Sequence, residues 1–131
     1  MAYETLQKDE EFWNGIDLII PVPLHKKRRW ERGFNQSFEI AREIGRRGGI
    51  AFASGALLKV KSTPPQTSLE RRERMENVRG AYALGRKNIV AGKVVLLVDD
   101  VFTTGSTIGE CARVLRRGGA ADVRGLTIAQ A

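Results

Sequence analysis

Short apolar runs alternate along this chain with stretches whose apolar residues recur at helical spacing, and glycine or proline separates them. Ile16–Val22, IDLIIPV, reads as a buried strand stopped by its prolines. NQSFEIAREIGRR follows and predicts a helix with Phe34, Phe38, Ala41 and Ile44 on one face. GALLKVK and the shorter YAL read as strands, VVLLV as the clearest strand, GECARVLRR as the clearest late helix, and VRGLTIA as the closing strand. Such alternation predicts an α/β domain with a mostly parallel central sheet flanked by helices. The unbroken VVLLV run fits a strand covered on both faces, which shows no polar alternation. One domain is expected over residues 1–131, with an N-terminal helical segment over 1–15 and a core over 16–129.

Two predicted helices end on the same letters, Arg46-Arg47-Gly48-Gly49 and Arg116-Arg117-Gly118-Gly119. Glycine supplies a left-handed cap and the arginines face the negative end of the helix dipole. In a parallel sheet the ligand edge is the one where strands end and helices begin, so these four arginines belong at the opposite edge. Lys26, Lys27, Arg28, Arg29 and Arg32 instead follow the end of the first strand and belong on the ligand edge. Arg71, Arg72 and Arg74 follow STPPQTSLE, a loop leading to a short helix that Thr67 and Glu70 could open as a capping box.

Composition narrows the classes. The chain has 131 residues, 42% hydrophobic and 28% charged, which is ordinary globular usage. Its net charge of +7 favours anionic partners, either phosphorylated small molecules or nucleic acid. The lone cysteine, Cys111, excludes an internal disulfide and a multi-cysteine zinc site. It shares helical spacing with Ile108, Ala112 and Leu115 and reads as a core thiol. No apolar run is long enough for a membrane span, and the acidic, amphipathic N-terminus is unlike a secretory signal. A cytoplasmic setting is the expectation.

The chemistry concentrates in KVVLLVDDVFTTGST, Lys93–Thr107. Asp99 and Asp100 sit at the C-terminal tip of the best strand, where neighbouring side chains point opposite ways unless the strand has turned. Ionised carboxylates only accept hydrogen bonds, and a ribose 2′,3′-diol offers two donors at suitable separation. Thr103, Thr104, Gly105, Ser106 and Thr107 have the makeup of an anion cradle, with hydroxyls, a glycine-relieved turn and a following helix N-terminus. Diol acceptors one step before a phosphate cradle describe a ribose 5-phosphate. A Walker B reading fails for want of G-x-x-x-x-G-K-[ST], since Gly85 to Gly92-Lys93 has the wrong spacing. A phospho-acceptor receiver would carry its acids near its N-terminus. TTGST alone is equally well read as a turn and helix cap.

VVLLVDDVFTTGST resembles the 5-phosphoribosyl 1-pyrophosphate (PRPP) motif of type I phosphoribosyltransferases. DLIIPVPLHKKRRWERGFNQS and LLKVKSTPPQTSLERRERMENVRGAYAL resemble the competence protein F (ComF, GntX-like) family, in that family's order, from Asp17 to about Thr127. The resemblance implies a type I phosphoribosyltransferase-like fold with a minimal hood. It implies that Asp99 and Asp100 bind the ribose hydroxyls and Thr103–Thr107 the 5′-phosphate. Pro23, Leu24, His25 and Lys26 fall in the pyrophosphate loop, with His25 as a loop-positioning group and direct proton transfer as its alternative. Pro65, Gln66, Arg71, Arg72 and Arg74 fall in the mobile loop, where a solvated helix face is the competing reading of the arginines. Mg²⁺ is expected to arrive bound to PRPP, without a dedicated protein metal site.

Departures from the family are also legible. Its cysteine-rich zinc segment is not in this sequence, which reads as a bare transferase-like domain, either a natural short form or a fragment, and Lys59 and Lys61 stand where arginines are common. Two functions stay open at this point. One is a phosphoribosyltransferase that releases pyrophosphate. The other is a PRPP- or nucleotide-sensing module associated with single-stranded DNA during uptake, with Trp30 interleaved in the basic edge. A homodimer is compatible with either.

Overall fold

The computed structural model describes residues 10–23, 36–61, 78–85, 89–102 and 106–130. In chain order they form α1 (Glu10–Trp13), β1 (Leu18–Pro21), α2 (Gln36–Gly48), β2 (Ala51–Phe52), β3 (Leu57–Lys59), β4 (Tyr82–Leu84), β5 (Val94–Phe102), α3 (Ser106–Arg117) and β6 (Asp122–Gln130). Four strands make one parallel sheet in the order β2-β1-β5-β6. The mostly parallel α/β architecture expected from the sequence is therefore present.

The apolar run in β5 explains the layering. Val95, Leu96, Leu97 and Val98 are all 0% exposed. Val95 and Leu97 join a core with Leu18, Ile20, Cys111 and Leu115, on the face covered by α3. Leu96 and Val98 join Ile19, Ala41 and Ile44 on the other face, covered by α2. Each such side chain contributes about 1.5–3 kcal/mol by leaving water, so the centre of this sheet dominates its stability. Polar groups pin the start of the sheet. Asp17 Oδ2 accepts from Val94 N at 2.9 Å, and Asp17 N donates to Val94 O at 2.9 Å. Arg124 Nη1 donates to the carbonyls of Phe12 and Asn14, both at 2.6 Å, and so fastens α1 beside β6.

β3 and β4 stand apart from this sheet. They form an antiparallel pair, Leu57 opposite Leu84 and Lys59 opposite Tyr82, that packs on the α3 side of the molecule. The sequence identifies both strands but not their separate pairing. It also misses β2, whose two residues hydrogen-bond alongside Leu18 and Ile19 of β1.

Both long helices close as their letters imply. Gly49 and Gly119 take φ of +65° and +99°, the left-handed conformation that glycine adopts without steric cost. Ile50 N then donates to Gly45 O at 3.0 Å, and Ala120 N to Leu115 O at 3.1 Å, the six-to-one bond of a Schellman cap. The carbonyl of Gly119 accepts from Gly92 N at 2.8 Å, just before β5 begins. Arg116 and Arg117 thus lie at the N-terminal edge of the sheet, away from the tip of β5. Arg46 and Arg47 are held by Glu43, at 2.6 and 2.9 Å. Hydrogen bonds from Arg46 and then Arg47 lower the Glu43 carboxyl to about 2. Among the described residues no helix is long and apolar enough to cross a membrane.

Two helical glycines should respond oppositely to alanine. A Cβ on Gly45 would stand 2.9 Å from the Ile50 carbonyl oxygen and 3.4 Å from Phe52 Cβ. A Cβ on Gly109 would meet nothing within 4 Å. In urea unfolding, Gly45→Ala should lose about 1–3 kcal/mol through overpacking. Gly109→Ala should gain about 0.5–1 kcal/mol from the lower entropy of its unfolded chain.

Candidate functional site

The site is built at the C-terminal end of β5. Asp99 continues the row of Val95 and Leu97, so its side chain belongs to the α3 face, and it is buried at 9% exposure. Its backbone is still paired with Thr127 of β6. Asp100 follows within the same strand, and α3 begins a few residues later at Ser106, with Thr107 in its first turn. On the other side, Val22 N donates to Val98 O at 2.8 Å. This extends the β1–β5 pairing one residue beyond β1 and delivers Pro23 to the same edge as Asp99.

Four side chains from three elements interact with one another, and two of them, Tyr82 and Cys111, also with Asp99. Tyr82 comes from β4, Lys59 from β3, and Thr107 and Cys111 from α3. Lys59 Nζ lies 5.8 Å from the centroid of the Tyr82 ring, within cation–π range. Burial pushes the Tyr82 hydroxyl up, neighbouring Cys111 and Asp99 push it further, and a hydrogen bond with Thr107 partly opposes them. Burial also pushes the Cys111 thiol well up, with Asp99 and Glu110 adding to it and Lys59 opposing. Burial thus keeps both the Tyr82 hydroxyl and the Cys111 thiol protonated around neutral pH.

Glu110, one turn along α3 from Thr107, ties the helix to the chain entering β4. Its Oε2 accepts from Gly80 N at 3.0 Å, and Arg113 donates to both its oxygens at 2.8 and 2.6 Å. The Arg113 hydrogen bond lowers the Glu110 carboxyl, the Gly80 bond adds to it, and burial opposes both. β4 is therefore fixed to α3 next to the acidic tip.

Of the residues expected in the site, the structure brings Pro23, Asp99, Asp100, Ser106 and Thr107 to one edge. Leu24, His25, Lys26, Pro65, Gln66, Arg71, Arg72, Arg74, Thr103, Thr104 and Gly105 lie outside the described residues. So do Phe34 and the capping pair Thr67 and Glu70. Sequence reasoning missed Tyr82 and Glu110. Within YAL the tyrosine passed as an ordinary strand residue, and its hydroxyl was the signal, because a buried tyrosine needs a polar partner. Among the described residues no group of three or more His, Cys, Asp or Glu could hold a metal ion.

An acidic strand tip and a helix N-terminus thus share the C-terminal edge of a parallel sheet, the edge where open α/β proteins bind their ligands. The chain belongs to the phosphoribosyl transferase domain family, whose pattern matches residues 36–130. It is 41% identical over 108 residues to DNA utilization protein YhgH of Salmonella typhi, covering 82% of this chain and 47% of that protein. It is 36% identical over 116 residues to competence protein F of Haemophilus influenzae, covering 88% and 51%. The chain spans about half the length of these curated relatives. Purine phosphoribosyltransferase from Pyrococcus horikoshii shares the fold, with a TM-score of 0.60 at 18% identity over 98% of this chain and 71% of that one. The fold is thus that of a type I phosphoribosyltransferase, and the resemblance to competence protein F read from the loop motifs holds.

The lowered Glu110 carboxyl gives a pH signature. A depressed folded-state value contributes stability above the unfolded carboxylate value and loses it as pH falls through the folded one. Glu110→Gln keeps an acceptor for Gly80 but removes the charge. Its urea midpoint should lie below wild type at about pH 7, and the gap should close on acidification below the ordinary carboxylate range.

Proposed function

We propose that this domain binds PRPP with its Mg²⁺ and transfers the 5-phosphoribosyl group to a nucleophile, releasing pyrophosphate. The observation that carries the reading is the buried Asp99 at the tip of the central strand, facing the first turn of α3. Asp99 and Asp100 accept from the ribose 2′- and 3′-hydroxyls. Thr103–Thr107 and the positive end of α3 hold the 5′-phosphate. By the family resemblance, Pro23–Lys26 serve as the pyrophosphate loop, and Pro65, Gln66, Arg71, Arg72 and Arg74 belong to the mobile loop. The donor set fits the ligand, because a diol supplies the protons that an acceptor-only carboxylate needs and both neighbouring acids are neutral.

Mg²⁺ enters as part of the substrate and neutralises pyrophosphate. The nucleophile attacks C1 from the face opposite the leaving group, the C1–O bond breaks, and its electron pair departs on pyrophosphate. The protein contributes orientation and charge stabilisation rather than a covalent intermediate. We place this chemistry in one domain over residues 1–131 and in the cytoplasm, the reducing setting suited to a free Cys111.

Calorimetric titration of PRPP–Mg²⁺ tests the assignment. Asp99→Asn/Asp100→Asn should bind at least about 100-fold more weakly, since hydrogen bonds to charged groups contribute about 1.5–3 kcal/mol each. Its thermal midpoint should stay near wild type. Equal binding by both proteins refutes the assignment. Mixing protein, PRPP–Mg²⁺ and a panel of bases and amines should release pyrophosphate, and tight binding without release under any acceptor removes the catalytic half.

A second reading is favoured by the relatives' own names, which speak of DNA utilization and competence. Here Lys26–Arg32, with Trp30 among them, tracks a single strand while PRPP or a nucleotide serves as a signal. Fluorescence titration with a single-stranded oligonucleotide should show affinity that falls steeply with salt. No affinity at low salt ends this reading.

A further inference from the structure

We propose that Arg113 tunes the electrostatics of the 5′-phosphate turn by neutralising Glu110, whose carboxylate would otherwise oppose a phosphate dianion at the N-terminus of α3. The inference rests on the PRPP reading above and extends it to a residue outside the family's motif. Glu110 is buried at 9% exposure. Its Oε2 accepts from Gly80 N at 3.0 Å, where Gly80 takes a φ of +73° as the chain turns towards β4. That N–H is partly buried and requires an acceptor. The carboxylate at position 110 therefore belongs to the attachment of β4 to α3.

That place conflicts with phosphate binding. Glu110 lies four residues after Ser106, where α3 begins, about 6 Å along the axis at about 1.5 Å per residue. Helical side chains lean towards the N-terminus, which brings the carboxylate closer to the turn that holds the phosphate. Charges on this scale of separation interact, because the screening length is about 8 Å at physiological salt. The helix end that attracts a phosphate would thus carry a charge that repels it. Arg113 removes the conflict. Its Nε donates to Glu110 Oε1 at 2.8 Å and its Nη2 to Oε2 at 2.6 Å, a two-pronged pair that matches guanidinium to carboxylate. Exposed Arg79 acts on the same carboxylate more weakly. Attachment of β4 does not itself call for the cation, because the carboxylate accepts from Gly80 N with or without it.

The test is calorimetry with ribose 5-phosphate at about pH 8, where the phosphate is a dianion. Wild type is compared with Arg113→Gln, Arg113→Lys, Glu110→Gln and the double glutamine variant. Each is titrated at ionic strengths of about 0.01 M and about 1 M, where screening lengths are about 30 and about 3 Å. At low salt Arg113→Gln should bind about 3- to 5-fold more weakly, and Glu110→Gln about 2- to 4-fold more tightly. Arg113→Lys keeps the cation and the double variant carries neither charge, so both should stay within about twofold of wild type. All differences should vanish at high salt. A purely structural role predicts another pattern, because each glutamine variant breaks the same pair and both would bind more weakly. Four results each overturn the inference and leave the PRPP reading intact: weaker binding by both glutamine variants, unchanged affinity in Arg113→Gln at low salt, equal losses in Arg113→Lys and Arg113→Gln, or differences that persist at high salt. Wild-type protein that binds neither PRPP nor ribose 5-phosphate overturns both.

Discussion

Strand β5 has parallel partners at both edges and apolar cover on both faces, so its residues from Val95 to Val98 have no contact with water. Such a strand can offer chemistry in only one direction, along its own axis. Asp99 occupies the first position past that dry stretch and keeps its backbone in the sheet while its side chain reaches the rim. A carboxylate one residue earlier would have been sealed among Ile19, Ala41 and Ile44 on the opposite face, at a desolvation cost no ligand could offset. The position of the acid is therefore set by where the core stops. The adjoining groups follow from it, because α3 must start at this edge to return over the same face.

Much of this was readable in one dimension. The runs in β1 and β5 are continuous because both faces are buried, and α2 and α3 carry helical spacing along most of their length. The aspartate pair and the hydroxyl turn were readable because each residue type has a narrow hydrogen-bonding repertoire. β2 was not, since two residues carry no periodicity and Ala51–Phe52 is a strand only because β1 lies beside it. The β3–β4 pairing was hidden for a related reason. It joins residues 57–59 to 82–84, and three-residue strands give no register signal of their own. Tyr82 and Glu110 were invisible as site residues because their partners, Thr107 and Gly80, are distant along the chain.

The net charge of +7 is also less uniform than composition suggests. Arg42 is paired with Glu39, Arg46 and Arg47 with Glu43, and Arg113 with Glu110, each within a helical turn. Those arginines serve their own helices, and the first three pairs are exposed enough to add little stability. Positive charge available to an anionic partner must come from other parts of the sequence, which is why the helix-terminal arginines and the basic run after β1 cannot be read as one patch.

The separation of β3 and β4 from the main sheet has an evolutionary meaning. The connection between them leaves and re-enters the small antiparallel pair, and neither of its ends is a strand of the sheet that carries Asp99. Its length and composition can drift without changing the register of β5 against β1 or β6. Selection can therefore rewrite this connection as an independent module while the acidic tip is inherited unchanged. A lineage built on this plan can exchange a segment rather than redesign a fold.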